Sequence, residues 1–264
     1  MPDNDLFDIK KRITAATKTR KITRTMELIA SSRLQRSKIL LANHQVWFRH
    51  MRQAVKCLPD SYFEPPAEVR RDAQKVYIVF GGSKGLSGAY SPNLLQYARP
   101  IVSGQLVVAV GSATAAFFPD AHTCFADGLP SASGARAIVQ AVQAICEGTG
   151  SHEVDMIYSQ GTRHLTQPLF PLVRMDEYDS DMLVEPSAQL VFPALFEQYA
   201  ESVVYGAQLQ AFVSEQIARV SAMDSATRNA DDIITDLQAT YNRIRQSSIT
   251  QEIITVSNAA RGDE

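Results

Sequence analysis

The chain has 264 residues, with 26 Lys and Arg against 28 Asp and Glu, and 45% of it is apolar. That length supports a sizeable core in one or two domains. No apolar run approaches membrane-spanning length, and MPDNDLFDIKK lacks the apolar segment of a secretory signal. Cys57, Cys124 and Cys146 are odd in number, far apart and form no CxxC pair, and the five histidines show no ligand spacing. These counts argue against a disulfide framework and a zinc site and favour a reducing, cytoplasmic setting.

Residues 1–58 read as one long helix. Neither glycine nor proline interrupts the chain between Pro2 and Pro59, and these are the strongest breakers. Ile9, Ile13 and Ala16 fall on one stripe, which Ile22, Met26 and Ile29 continue after a small phase shift. From Lys10 to Lys38 there are ten Lys and Arg against one acid, Glu27. That asymmetry points to an acidic partner.

Residues 72–188 hold most of the breakers and read as an α/β domain. KVYIVF (Lys75–Phe80), QLVVAV (Gln105–Val110) and VDMIYS (Val154–Ser159) have strand length. SPNLLQYA (Ser91–Ala98) and SGARAIVQAVQAICEG (Ser133–Gly148) lie between them with helical periodicity, and Ser91 before Pro92 is a helix start. Strand–helix alternation implies a mostly parallel sheet covered by helices, a Rossmann-like arrangement.

The run GGSKGLSGAYS (Gly81–Ser91) follows the first strand. It is not a Walker loop, because Lys84 precedes Gly85 rather than Ser or Thr. Gly81, Gly82, Gly85 and Gly88 do not have dinucleotide-loop spacing either. A nucleophile elbow around Ser87 would turn directly off the strand, whereas four residues intervene here. The run reads instead as a tight strand-to-helix crossover whose glycines let backbones approach.

Residues 194–262 read as a second long helix. Val213, Val220, Met223, Thr227, Ala230, Ile234, Leu237, Tyr241, Ile244 and Ser248 alternate steps of three and four, with Gln216 as the one break. Such a rhythm over about five heptads argues for a coiled coil. Thr227 and Ala230 would allow a partner helix to approach closely. A helix of roughly 55 residues is about 80 Å long, more than the domain's own core needs. Its natural partner is the N-terminal helix, paired antiparallel.

Four stretches carry a family resemblance, in order and across essentially the whole chain. KTRKITRTMELIASSRLQRSK (Lys18–Lys38) and ARVSAMDSATRNADDIITDLQATYNRIRQSSITQEI (Ala218–Ile253) resemble the terminal helices of the gamma subunit of F-type ATP synthases. GLSGAYSPNL resembles the family's GLCGG-type segment, with Ser87 where cysteine is usual. GSATAAFF (Gly111–Phe118) resembles a segment that starts GSKG and ends in paired phenylalanines. The chain departs from the family in its NAARGDE tail, in Ser83-Lys84-Gly85, and in a pI of about 6.2.

The resemblance implies a non-catalytic rotor without cofactor or metal. Its antiparallel coiled coil would enter a hexamer of three alpha and three beta subunits. Its α/β domain would meet the epsilon subunit and the membrane c-ring, on the cytoplasmic face of the inner (plasma) membrane, with membrane association through the c-ring only. It implies beta-subunit contacts for Arg245, Gln246, Thr250 and Glu252, and coupling roles for Lys21 and Met26. Arg33 and Arg36 would face an acidic lever segment of beta. A simpler reading of Met26 is seam packing. The rival classes are a basic coiled coil that binds nucleic acid, a generic adaptor, and a hydrolase using Ser87.

Overall fold

The structure is a computed structural model and describes residues 2–59, 74–82, 85–125, 128–171 and 183–262. It divides into two compact units, Met1–Ile29 with Val220–Glu264, and Ala30–Arg219. Two long helices contribute to both: α1 (Pro2–Val55) and α5 (Ala188–Gly262), the latter running through Pro193.

The larger unit is built on β1 (Val76–Phe80), β2 (Leu106–Val110), β3 (Thr123–Phe125), β4 (Val154–Gln160) and β5 (Arg163–Phe170). The sheet order is β3-β2-β1-β4-β5. The first four strands are parallel and β5 runs antiparallel to β4. All five residues of VYIVF in β1 are buried, the continuous apolar pattern of a strand covered on both faces. Three helices connect the strands: α2 (Tyr90–Ile101), α3 (Ser112–Phe117) and α4 (Ala132–Thr149).

Alternation along the strands sorts the core into two faces. Val76, Ile78, Phe80, Val108 and Met156 pack with Ile138 and Val142 of α4, Met51 and Val55 of α1, and Val204, Ala207 and Ala211 of α5. On the other face Tyr77, Val79, Val107 and Ile157 lie under Leu94, Leu95 and Ala98 of α2. Leu94 is fully buried, which contributes about 1.5–3 kcal/mol.

The inner parts of α1 and α5 pair antiparallel within this unit. Nε2–H of His44 donates to the Ser202 carbonyl at 2.9 Å, and the Phe48 and Tyr199 rings stack at 5.6 Å. Gly206 is required at this junction, because a Cβ there would lie 2.7 Å from Cε1 of His44.

The three expected strands are present, and the sheet gains β3 and β5, which periodicity did not reveal. α4 starts at a capped Ser131, whose hydroxyl accepts the Gly134 N–H at 3.1 Å, and stops at left-handed Gly150. α2 begins at Tyr90, one residue before the expected Ser91, and has no side-chain cap.

The glycine-rich run is a backbone crossover. Gly81 N–H donates to Val110 at 3.0 Å and Ala113 N–H to Gly82 at 3.3 Å. Gly111 has φ +105°, and a Cβ there would lie 2.9 Å from the Gly82 oxygen. Ser87 is buried, and Ser83 and Lys84 fall outside the described residues.

In the smaller unit the outer parts of α1 and α5 pair antiparallel. Thr23 and Thr227 hydroxyls meet at 2.8 Å, and Nη1 of Arg20 lies 2.9 Å from Asp231. The expected C-terminal seam is observed. Met223, Ala230, Ile234 and Ser248 are buried, and Thr227, Leu237, Tyr241 and Ile244 are half-buried. The N-terminal stripe differs beyond Ala16. Ile22, Met26 and Ile29 face outward, exposed by 58%, 37% and 49%. The positions turned inward are Thr23 and Glu27, whose carboxylate is held by Arg24 at 2.9 Å. At Thr23 and Thr227 the helices approach closely enough for the two hydroxyls to bond, so the inward position on α1 there is small and Ile22, Met26 and Ile29 point out.

Candidate functional site

The residues expected to touch partners lie on exposed helix surfaces and form separate groups. Arg245, Gln246, Thr250 and Glu252 are all exposed on the last turns of α5. The Thr250 hydroxyl donates to the main-chain carbonyl of Gln246 at 2.9 Å. Beside them Ile249, Ile253 and Ile254 are exposed by 43%, 63% and 53%. By the register of Thr23–Thr227 and Arg20–Asp231, Arg245 and Gln246 lie level with the first turns of α1. Phe7 of α1 is exposed by 67%. Among the described residues, this part of the smaller unit is therefore a mixed polar and apolar surface.

By the same register, Lys21 and Met26 lie about 24 Å or more along the axis from Arg245. Lys21 lines a groove of about 540 Å³ between the helices, with Arg20, Arg24, Arg228, Asp224 and Asp231. Arg20 is held by Asp231 and Arg228 by Asp224, and Lys21 makes no ion pair among the described residues. Lys10–Arg24 of α1 carries seven Lys and Arg and no acid, whereas residues 226–240 of α5 carry Asp231, Asp232 and Asp236 against Arg228. The two sides of the unit thus differ in sign. Arg33 and Arg36 belong to the larger unit, where both are exposed on α1.

The larger unit has a cavity of about 270 Å³ at the carboxyl ends of β1, β2 and β3, where α/β domains hold ligands. Two of its polar side chains are engaged, whereas the buried Gln208 Oε1 has no hydrogen-bond partner among the described residues. Ser131 caps α4, and Glu215, 2% exposed, is held by Arg219. Burial, with the Glu215 charge beside it, holds the nearby Tyr90 phenol far above its ordinary range. Among the described residues no group of three or more His, Cys, Asp or Glu could hold a metal. Nor is any helix long and apolar enough to cross a membrane. Cys57 and Cys146 are free thiols.

Sequence reasoning missed the apolar side chains at the end of α5, because Ile249, Ile253 and Ile254 sit in a heptad context that reads as seam. It also missed the polar contacts of Tyr90 and Ser214, which join elements distant in sequence.

The described residues thus form an antiparallel coiled coil and a Rossmann-like α/β body. The comparisons place it. The family model described as ATP synthase matches residues 5–261. The ATP synthase gamma chain of Streptococcus mutans is 31% identical, over 94% of this chain and 95% of its own. That of Ruminiclostridium cellulolyticum is 29% identical, over 97% and 98%. A chain in the Euglena gracilis mitochondrial ATP synthase, solved with OSCP, F1 and c-ring, superposes with a TM-score of 0.71 at 14% identity, over 98% of this chain and 95% of that one. The chain belongs to the ATP synthase gamma-chain family.

Proposed function

We propose that this chain is the central rotor of an F-type ATP synthase, transmitting torque between a membrane ion-driven ring and a catalytic hexamer. The observation that carries this is a family match spanning both long helices and the α/β body, residues 5–261. The chain is a non-catalytic subunit, and catalysis belongs to its beta partners. The coiled coil of residues 1–58 and 194–262 enters a hexamer of three alpha and three beta subunits. The body of residues 72–188 meets the epsilon subunit and the c-ring. The chain is a peripheral component of a membrane complex, held through that ring on the cytoplasmic face. The relatives are gamma chains, so a nucleic-acid-binding or adaptor role gains no support from them.

The exposed groups take defined roles in this reading. Arg245, Gln246, Thr250 and Glu252 contact beta-subunit loops near the end of α5. Lys21 and Met26 act in coupling on α1, and the outward position of Met26 supports a contact rather than seam packing. Arg33 and Arg36 meet an acidic segment of beta. Opposite charge on the two sides of the smaller unit supports contacts that change with angle, because its outer surfaces lie about 20 Å apart and screening acts over about 8–10 Å.

The test is ATP hydrolysis by the alpha and beta subunits of the same operon, with and without this chain. A large rise in turnover, with a stable complex holding one copy of the chain, is expected. Folded proteins that form no complex and show no change would contradict the proposal.

A further inference from the structure

We infer that Tyr90 and Ser214 form a torsional key that fixes α5 against rotation about its own axis in the α/β body. This rests on the rotor reading above and assigns residues to one of its steps, the entry of torque into the shaft helix.

Where α5 meets the core it buries Tyr199, Ala200, Val204, Ala207 and Ala211, exposed by 3%, 0%, 0%, 4% and 4%. Helices resist rotation by seating side-chain ridges in grooves, and beyond Val204, toward Ser214, the ridge in this cluster is reduced to the methyls of Ala207 and Ala211. The directional contacts fall on the same stretch. The Tyr90 hydroxyl, at the start of α2, donates to the Ala211 carbonyl at 3.0 Å. Ser214 Oγ accepts the Gly161 N–H at 2.8 Å and lies 2.9 Å from the Ser159 carbonyl, at the β4–β5 turn. Ser159 is itself anchored, its Oγ lying 3.0 Å from Nδ1 of His164.

Neither contact is required to form the helix. The Ser214 proton has an acceptor within α5, the Gln210 carbonyl at 2.8 Å, and the Ala211 carbonyl has its own place in the helical ladder. Both contacts therefore serve the join between helix and body. A rotation of α5 by about 20° moves an atom about 5 Å from its axis by nearly 2 Å, which breaks bonds of this length. The two hydroxyls hold the helix at one angle.

The experiment follows a probe on the α/β body of the chain in a surface-anchored complex with its alpha and beta subunits, and records angular fluctuation while the motor waits for ATP. Tyr90→Phe with Ser214→Ala is expected to raise the angular variance about twofold, with turnover at saturating ATP unchanged. A merely structural weakening would lower the melting temperature and leave the variance alone. Unchanged variance in an assembled variant overturns the inference. Should the double variant not assemble, Tyr90→Phe alone must raise the variance, and Ser214→Thr, which keeps the hydroxyl, must not; any other result overturns it. If the wild-type chain does not rotate, the rotor reading fails and this inference falls with it. Rotation with unchanged stiffness refutes this inference alone.

Discussion

Thr23 of α1 and Thr227 of α5 share a hydrogen bond across the seam of the smaller unit, hydroxyl to hydroxyl at 2.8 Å. Each hydroxyl also has a carbonyl of its own helix in reach, Arg20 at 3.0 Å and Met223 at 2.8 Å. One proton bridges the pair while the other returns to its helix. Small side chains keep the two backbones close, so Thr227→Leu is expected to destabilise this unit by about 1–3 kcal/mol through overpacking. Thr23→Val with Thr227→Val removes both hydroxyls together and should stay within about 1 kcal/mol of wild type. Thermal unfolding followed by helical circular dichroism reads both. A larger loss in the double valine variant would mean that the bridge, not the volume, sets the seam.

Gln216 breaks the apolar rhythm of α5 inside the larger unit. It is fully buried, and neither its amide nitrogen nor its amide oxygen has a hydrogen-bond partner among the described residues. Unsatisfied buried polar groups cost about 1–3 kcal/mol. Gln216→Leu is therefore expected to raise stability by about 1–2 kcal/mol, seen as a higher denaturation midpoint. A lower midpoint would show that the amide has a stabilising role.

Gly206 gives a sign that helix propensity alone would reverse. In a helix interior, glycine to alanine ordinarily gains about 1 kcal/mol. Here the new methyl would press on the His44 ring and displace it from the Ser202 carbonyl. Gly206→Ala is expected to cost about 1–3 kcal/mol. Gly206→Ala combined with His44→Ala should recover part of that loss, and a gain for the single change would refute the packing.

Burial lowers the His44 pKa from its ordinary value, with the bond to Ser202 acting in the opposite sense. Rings line the site: Phe48 lies 5.7 Å away and Tyr205 5.3 Å away. The folded state thus keeps His44 neutral where the unfolded chain, titrating near about 6.5, takes up a proton. Between the two values the unfolded state binds more protons, so stability rises with pH. Stability is complete above about pH 6.5 and declines as pH falls toward the folded value. Unfolding midpoints across that range test this, and His44→Leu should flatten the slope. An equal slope in the variant would place the titration elsewhere; His164, also lowered by burial, is the next histidine to substitute.

Arg245 and Gln246 are exposed near the end of α5, so replacing both by alanine should change stability by no more than about 0.5 kcal/mol. In the assembled enzyme the same variant is expected to lower ATP-driven ion pumping roughly three- to tenfold, as loss of about 1 kcal/mol of contact implies. Parallel loss of helicity and pumping would instead make the pair structural.

The sequence shows most of this fold because its repeats are periodic. The heptad positions from Val220 to Ser248 are all buried or half-buried, and the three long apolar runs are strands. Other parts were hidden for physical reasons. The inner positions of α1 beyond Ala16 are Thr23 and Glu27, which no apolar pattern marks, while outward Ile22, Met26 and Ile29 imitate a seam. Strand β3 spans Thr123–Phe125 and is too short to show periodicity. Strand β5 is an edge strand carrying Arg163, His164, Gln167 and Pro168. The exposed residues proposed to meet partners were singled out through family motifs, whereas the Tyr90 and Ser214 contacts exist only once the chain is folded.

Rotation of this chain inside its complex is the most direct measurement. With the alpha and beta subunits fixed to a surface and a bead on the α/β body, ATP should drive continuous turning in one direction, with three pauses in each revolution. A complex that hydrolyses ATP while the bead stays fixed or only fluctuates would contradict the rotor assignment.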